Sequence, residues 1–210
     1  MFRQASLFGA EEPSFDPSFT TASRSQLSGA SWIEYVPGWL SGSDLLFDDL
    51  METLEFAQRR GIPMYDRLVD EPRLTSWWNE AESHEVAHPV LADVRWALAD
   101  RYRRHFDSIG YNLYRDQRDS VAWHGDRHRK VVTDPIVAIL SIGDSRPFQM
   151  RRNRDDEHGE AGGASLTWGL GHGDLFVMGG ACQHEWQHCV PKRRRHTGPR
   201  LSITFRHDAR

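Results

Sequence analysis

The chain has 210 residues and a mass of 24.2 kDa, room for one domain and a terminal extension. Hydrophobic residues make up 39% and charged residues 27%, with a mean hydropathy of −0.63, which excludes a chain disordered throughout. No apolar run approaches the ~18 residues of a membrane span. The formal charge of −4 hides an asymmetry. Residues 1–100 carry 7 Lys/Arg and 17 Asp/Glu, and residues 101–210 carry 19 and 13, so a basic second half can face a polyanion.

The first residues, MFRQASLFGAEEPSF, lack the basic-then-apolar pattern of a secretory signal. Two cysteines, Cys182 and Cys189, cannot make a disulfide framework and read as reduced thiols, as expected of a cytoplasmic protein. Residues 1–30 are rich in Ser, Thr, Pro and Gly and read as a flexible extension, with a single domain following over 31–210. Trp32–Val36 alternates like a strand before Pro37 and Gly38. From Asp44 to Arg60 the period becomes helical, with Leu46, Leu50, Leu54 and Ala57 on one face, Ser43 as the cap and Gly61 beyond the end. Residues 62–80 are aromatic, basic and broken by proline, which reads as hairpin and loop. A second helix is predicted over Pro89–Phe106, with Pro89 in its first turn and Leu91, Val94, Leu98 and Tyr102 as its apolar stripe.

After residue 108 about eight short apolar or alternating runs follow, separated by Gly, Asp, Asn or Pro. They are Gly110–Arg115, Ser120–His124, Ile136–Ile142, Pro147–Arg151, Ala164–Trp168, Asp174–Met178, Trp186–Val190 and Leu201–Phe205, with an exposed charged loop expected over 151–163. The prediction is a mainly β fold with flanking helices, a sandwich or jelly roll.

His124-Gly125-Asp126 ends one predicted strand, and a period of two puts its His and Asp on one side. His188, in a later strand-like run, is a third donor. Two imidazoles and one carboxylate on one face of a metal leave three positions open, the arrangement of non-haem Fe(II) oxygenases. The other histidines, among them His84, His88, His105, His158, His184, His196 and His207, read as surface or core residues. In the last strand Arg200, Ser202, Thr204 and Arg206 share one face, and Leu201, Ile203 and Phe205 share the other. Two arginines on a barrel face are costly unless paired. A dicarboxylate would match their planar forks, and the alternative is an exposed edge strand with solvated arginines.

A run of motifs in fixed order then carries a family likeness. These are Asn112-Leu113-Tyr114-Arg115-Asp116, Asp119 to Asp126, Ile139 to Gly143, Arg146-Pro147-Phe148, His172 to Met178, Trp186 to Lys192, and Pro199-Arg200 to Arg206. Over residues 62–206 the chain resembles the AlkB-type Fe(II)/2-oxoglutarate-dependent dioxygenases, which are nucleic-acid dealkylases. The resemblance implies a double-stranded β-helix (jelly roll) core over about 108–206, an N-terminal helical layer and a nucleotide-recognition lid over about 62–80. It implies Fe(II), 2-oxoglutarate and O2 as cofactors and cosubstrates. His124, Asp126 and His188 would bind the iron, and Arg200, aided by Tyr114, would hold the distal carboxylate of 2-oxoglutarate. Asn112, Thr204 and Arg206 would line the cosubstrate pocket. Tyr65, Arg73, Trp77 and Trp78 of the lid, together with Arg127, Arg151 and Arg152, are the residues expected to meet substrate.

The implied reaction is oxidative dealkylation of an N-alkylated base, in DNA rather than RNA and in repair, yielding formaldehyde, succinate and CO2 from a base turned out of its stack. A monomer without membrane attachment is expected. The chain departs from the family where acids commonly follow the iron aspartate. Arg127-His128-Arg129-Lys130 stands there instead, which reverses the local charge and suits a phosphate contact. Gln4-Ala5-Ser6-Leu7-Phe8 resembles the short peptide by which bacterial repair proteins dock on the replication sliding clamp. Two other functions fit the residues less well. One is the same chemistry on RNA, protein or a small molecule. The other is a non-catalytic metal-containing nucleic-acid-binding β-barrel, with His124, Asp126 and His188 structural or holding zinc, for which the dicarboxylate pocket would have no use.

Overall fold

The computed structural model describes residues 11–64, 67–83, 85–125, 134–153 and 164–207. The first half runs through β1 (Ser14–Phe15), β2 (Ser23–Gln26), β3 (Ser31–Val36), β4 (Leu40–Ser41) and helix α1 (Ser43–Thr53). It continues with β5 (Ile62–Met64), β6 (Arg67–Val69), β7 (Leu74–Asn79) and helix α2 (Pro89–Tyr102). The second half holds β8 (Ser108–Tyr114), β9 (Val121–His124), β10 (Val137–Gly143), β11 (Arg146–Arg152), β12 (Leu166–Leu170) and β13 (Asp174–Gly180). A single turn α3 (Cys182–Glu185), β14 (Trp186–Val190) and β15 (Arg200–Arg206) complete it. Each of the eight runs read after residue 108 is a strand. Among the described residues no helix is long and apolar enough to cross a membrane.

Seven strands make one antiparallel sheet in the order β2-β3-β13-β10-β15-β8-β7, and four make a second, β12-β11-β14-β9. Strand β10 reads as an apolar run broken only by Ser141, because both its faces are buried. Val137 and Ile139 point between the sheets, where they meet Phe148, Met150, Phe176 and Val190. Ala138, Leu140 and Ile142 point the other way, into a core shared with Leu46 and Leu50 of α1 and Leu91, Val94 and Leu98 of α2. Each such side chain contributes roughly 1.5–3 kcal/mol by leaving water. The result is the expected jelly roll with a helical layer on the outer face of its large sheet.

Three boundaries differ from the sequence expectation. Helix α1 ends at Thr53 rather than Arg60, although Leu54 and Ala57 keep the helical period. Leu54 turns to an extended conformation, and Ala57 exchanges two 2.9 Å backbone bonds with Thr75, so a β-bridge replaces the last helical turns. Ser43 is the first helical residue and donates to the Leu40 carbonyl, and Gly42 occupies the cap in a left-handed conformation. Helix α2 stops at Tyr102, short of Phe106, because Arg103 is left-handed; at its start the His88 Nδ1 accepts from the Val90 N–H.

Residues 11–30 do not form the expected flexible extension. The Asp16 carboxylate accepts from the Ser18 and Thr20 N–H groups, Phe19 stacks on Trp39 at 5.1 Å, and β2 pairs with β3. Residues 1–10, including Gln4–Phe8, lie outside the described residues, as do residues 154–163 of the charged loop. The expected lid divides into two parts: β5 and β6 pair as a hairpin, and β7 joins the large sheet beside β8.

Candidate active site

The pairing of β14 with β9 sets His188 opposite His124, with ring centroids 4.3 Å apart. The register slips between this pair and the next, Val190 opposite Val121. Two residues, Ala122 and Trp123, therefore face one, Cys189, which is a β-bulge. Strict alternation would send Val121 and His124 to opposite faces, yet both line the same cavity because of the extra residue. The His124 Nδ1 lies 2.8 Å from the Ala122 carbonyl oxygen. A carbonyl only accepts, so Nδ1 carries the hydrogen and Nε2 is the nitrogen with a lone pair for a metal. His188 is buried, and Phe148 stacks on its ring at 5.4 Å. Asp126, two residues beyond His124, lies outside the described residues.

Strand β15 carries the second part of the site. It is no edge strand: β10 and β8 flank it. Leu201, Ile203 and Phe205 enter the core under the helices, and Ser202, Thr204 and Arg206 line the cavity. Arg200 is 1% exposed and donates from Nε to the Ser141 hydroxyl at 2.8 Å, while Nη1 and Nη2 are buried with no hydrogen-bond partner. Burial pulls this guanidinium down to about 10, so it is still charged at neutral pH, and among the described residues no carboxylate lies within ion-pair distance of it, Asp174 acting only from farther away. Its neighbour Arg146 is equally buried, but Arg146 donates to the carbonyls of Asp116, Asp119 and Pro191 and so has a structural use. The Tyr114 ring lies between them, 5.5 Å from the Arg146 guanidinium and 5.6 Å from that of Arg200. Burial pushes the Tyr114 hydroxyl up, which keeps it protonated and able to donate.

Tyr114 and the two imidazoles line a cleft of about 420 Å³ together with Asn112, Thr204 and Arg206, and Arg200 adjoins it through the Tyr114 ring rather than as a lining residue. Two imidazoles in the cleft, and a cation with two idle donors next to its Tyr114 wall, suit an anionic chelator shared between a metal and Arg200. A wider groove of about 1600 Å³ adjoins it, sharing Arg73, Asn112, His124 and Arg206. Arg73 is tied into the wall by a 2.9 Å bond from Nε to Asn112 Oδ1. Trp77, 48% exposed, also lines the groove. Its indole lies over Gly110, where a Cβ would come within 2.6 Å of the ring, and the Arg206 guanidinium sits 5.6 Å from its centre.

Not every expected substrate residue is in this groove. Trp78 is 7% exposed and belongs to the core under the helices, with Arg95 stacked on its ring; one residue of strand alternation separates it from Trp77. Arg151 and Arg152 line neither cleft. Arg151 is engaged by Gln187 and Trp123 on the outer face of the small sheet. Tyr65 and Arg127 lie outside the described residues. Sequence reasoning passed over Ser141, which orients Arg200, and Arg146. The available signal was a lone serine in the apolar run Ile139–Gly143 and an arginine opening a β-strand.

A two-sheet jelly roll with paired imidazoles and a buried arginine whose terminal amines are idle fits a 2-oxoglutarate-using iron oxygenase. In agreement, the 2OG-Fe(II) oxygenase superfamily matches residues 67–206. The chain is 34% identical over 192 residues to the human alpha-ketoglutarate-dependent dioxygenase alkB homolog 3, covering 85% of this chain and 67% of that one. It is 36% identical over 119 residues to the DNA oxidative demethylase ALKBH2 of Arabidopsis thaliana, covering 48% and 37%. The solved structure of OsALKBH1 shares the fold, with a TM-score of 0.57 at 14% identity over 87% of this chain and 100% of that one. The protein belongs to the AlkB-type Fe(II)/2-oxoglutarate-dependent dioxygenases and is an enzyme of that class.

Proposed function

We propose that the protein removes N-linked alkyl groups from bases of nucleic acid, DNA in preference to RNA, as a repair activity. His124, Asp126 and His188 hold Fe(II) in this reading. Arg200 grips the distal carboxylate of 2-oxoglutarate with its two idle amines, and Tyr114 assists. Asn112, Thr204 and Arg206 line the cosubstrate space, and Arg73 and Trp77 receive the displaced base in the adjoining groove. Iron with 2-oxoglutarate and O2 supplies the oxidation of the N-alkyl carbon, which leaves as formaldehyde while the cosubstrate becomes succinate and CO2. The chain's own part is to orient and to shield. The Ala122 carbonyl fixes the His124 tautomer, Ser141 aims Arg200, and Phe148 covers His188.

The observation that carries the proposal is Arg200: a guanidinium buried with both terminal amines unpaired among the described residues, next to Tyr114, which lines the same cleft as the two facing imidazoles. The names of the relatives, a dioxygenase and a DNA oxidative demethylase, support the substrate class. The test is anaerobic reconstitution with Fe(II) and 2-oxoglutarate, then air and methylated single-stranded DNA, following succinate, formaldehyde and base identity by mass spectrometry. Stoichiometric formaldehyde and restored base are expected. Succinate without formaldehyde would move the substrate elsewhere, and no succinate from iron-loaded protein would refute the proposal.

A further inference from the structure

The outer face of the small sheet bears on the two imidazoles from behind. Among the described residues strand β9 is the edge strand of the small sheet, four residues long, and two register pairs, one on each side of the bulge, join it to β14. A bulge leaves its extra residue outside the ladder, so backbone pairing alone restrains His124 weakly. Trp123 precedes His124 and Gln187 precedes His188, and neither lines the cavity. Arg151 of β11 reaches both. Its Nε and Nη2 donate to Gln187 Oε1 at 3.2 and 2.9 Å, and its guanidinium stacks 4.3 Å from the centre of the Trp123 ring. On the inner face the same three strands bring Met150, His188 and His124 into one row.

We infer that Arg151 is a positioning residue: by holding Gln187 of β14 and Trp123 of β9 together, it fixes the bulge and with it the angle at which His124 faces His188. The inference rests on the proposal that these two histidines bind metal. It gives Arg151 a use although it stands outside the substrate groove, and gives the bulge residue Trp123 a use although it faces away from the site. Groups hydrogen-bonded to metal-ligating histidines commonly change metal affinity 10–100-fold, and Arg151 acts one contact farther out, so the lower end of that range applies.

The test uses the full-length protein without oxygen and Co(II) alone as the probe, read by its visible ligand-field absorption. Arg151→Ala is expected to weaken Co(II) binding on the order of tenfold and to alter the band shape. Trp123→Ala should do the same, and the double variant should be no weaker than either single one, because both break one contact. Arg151→Lys, which keeps a cation over the indole, should recover part of the loss. His188→Ala is the control. If it loses Co(II) binding while Arg151→Ala binds as the wild type does, the inference is overturned and the metal site stands. If His188→Ala also binds as the wild type does, the metal-site proposal fails and the inference with it. Unchanged Co(II) binding in Arg151→Ala together with weaker binding of a single-stranded oligonucleotide would make Arg151 a phosphate contact instead, which also overturns the inference.

Discussion

Replacing Arg200 by methionine should have opposite effects on the free and the cosubstrate-bound protein. In the free protein the guanidinium is 1% exposed, with one bond to Ser141 and two unpaired amines. An unsatisfied buried donor costs roughly 1–3 kcal/mol, and a methionine of similar length removes two of them while giving up one hydrogen bond of about the same size. Free-state stability should therefore stay level or rise by up to ~2 kcal/mol. In the bound protein, removing one partner of a buried hydrogen-bonded charge pair costs ~2–5 kcal/mol, which lowers 2-oxoglutarate affinity about 30- to several-thousand-fold. Thermal unfolding with Mn(II) under argon reads both effects. Wild-type protein at 2-oxoglutarate a hundred times its Kd gains ~2.7 kcal/mol, about 5–11 °C for a chain of this length. The variant should keep at most about a third of that shift, from an unlowered starting midpoint. A variant with a midpoint several degrees lower that still responds in full to 2-oxoglutarate would refute the reasoning, because Arg200 would then be an ordinary structural cation.

Three further outcomes follow from the same geometry. Gly110→Ala puts a Cβ 2.6 Å from the Trp77 ring and must displace the indole; we expect altered tryptophan emission and a raised KM for alkylated oligonucleotide, with 2-oxoglutarate binding kept. Ser141→Ala removes the acceptor that aims Arg200 and should weaken 2-oxoglutarate binding by about 1–3 kcal/mol, measured by titration without oxygen. Glu34 is buried, which raises its pKa, but bonds from Arg101 and Tyr102 outweigh burial and hold it below its ordinary 4.5. Its contribution is therefore complete above that value and is lost as pH falls through the lower folded one. Glu34→Gln should destabilise the fold in urea unfolding at pH 7, and the gap to wild type should narrow as pH falls below the ordinary carboxylate value.

The strands of the second half were legible because burial on two faces leaves a continuous apolar run, and burial on one leaves alternation. The face of β15 was read correctly for the same reason: a period of two survives any packing. The end of α1 was not legible, since Leu54 and Ala57 keep a helical period and only the pairing of Ala57 with Thr75, residues distant in sequence, overrides it. Nor could adjacent tryptophans be told apart. Trp77 and Trp78 differ only in which side of β7 each takes, and the register with β8 decides that.

The sequence by itself determined the residue types on offer: two imidazoles in strand-like runs, a carboxylate two residues after the first, two arginines on one strand face, and a β-rich second half to carry them. These are properties of residue type and short-range period, which need no knowledge of neighbours. Only the tertiary structure decided that His124 meets His188 across a bulge, that Arg200 is buried with Ser141 as its one partner, and that Arg151 grips the outer face instead of the groove. Each of these depends on register between strands far apart in the chain. A shift of one residue would reverse every side chain involved, and no local pattern records that choice.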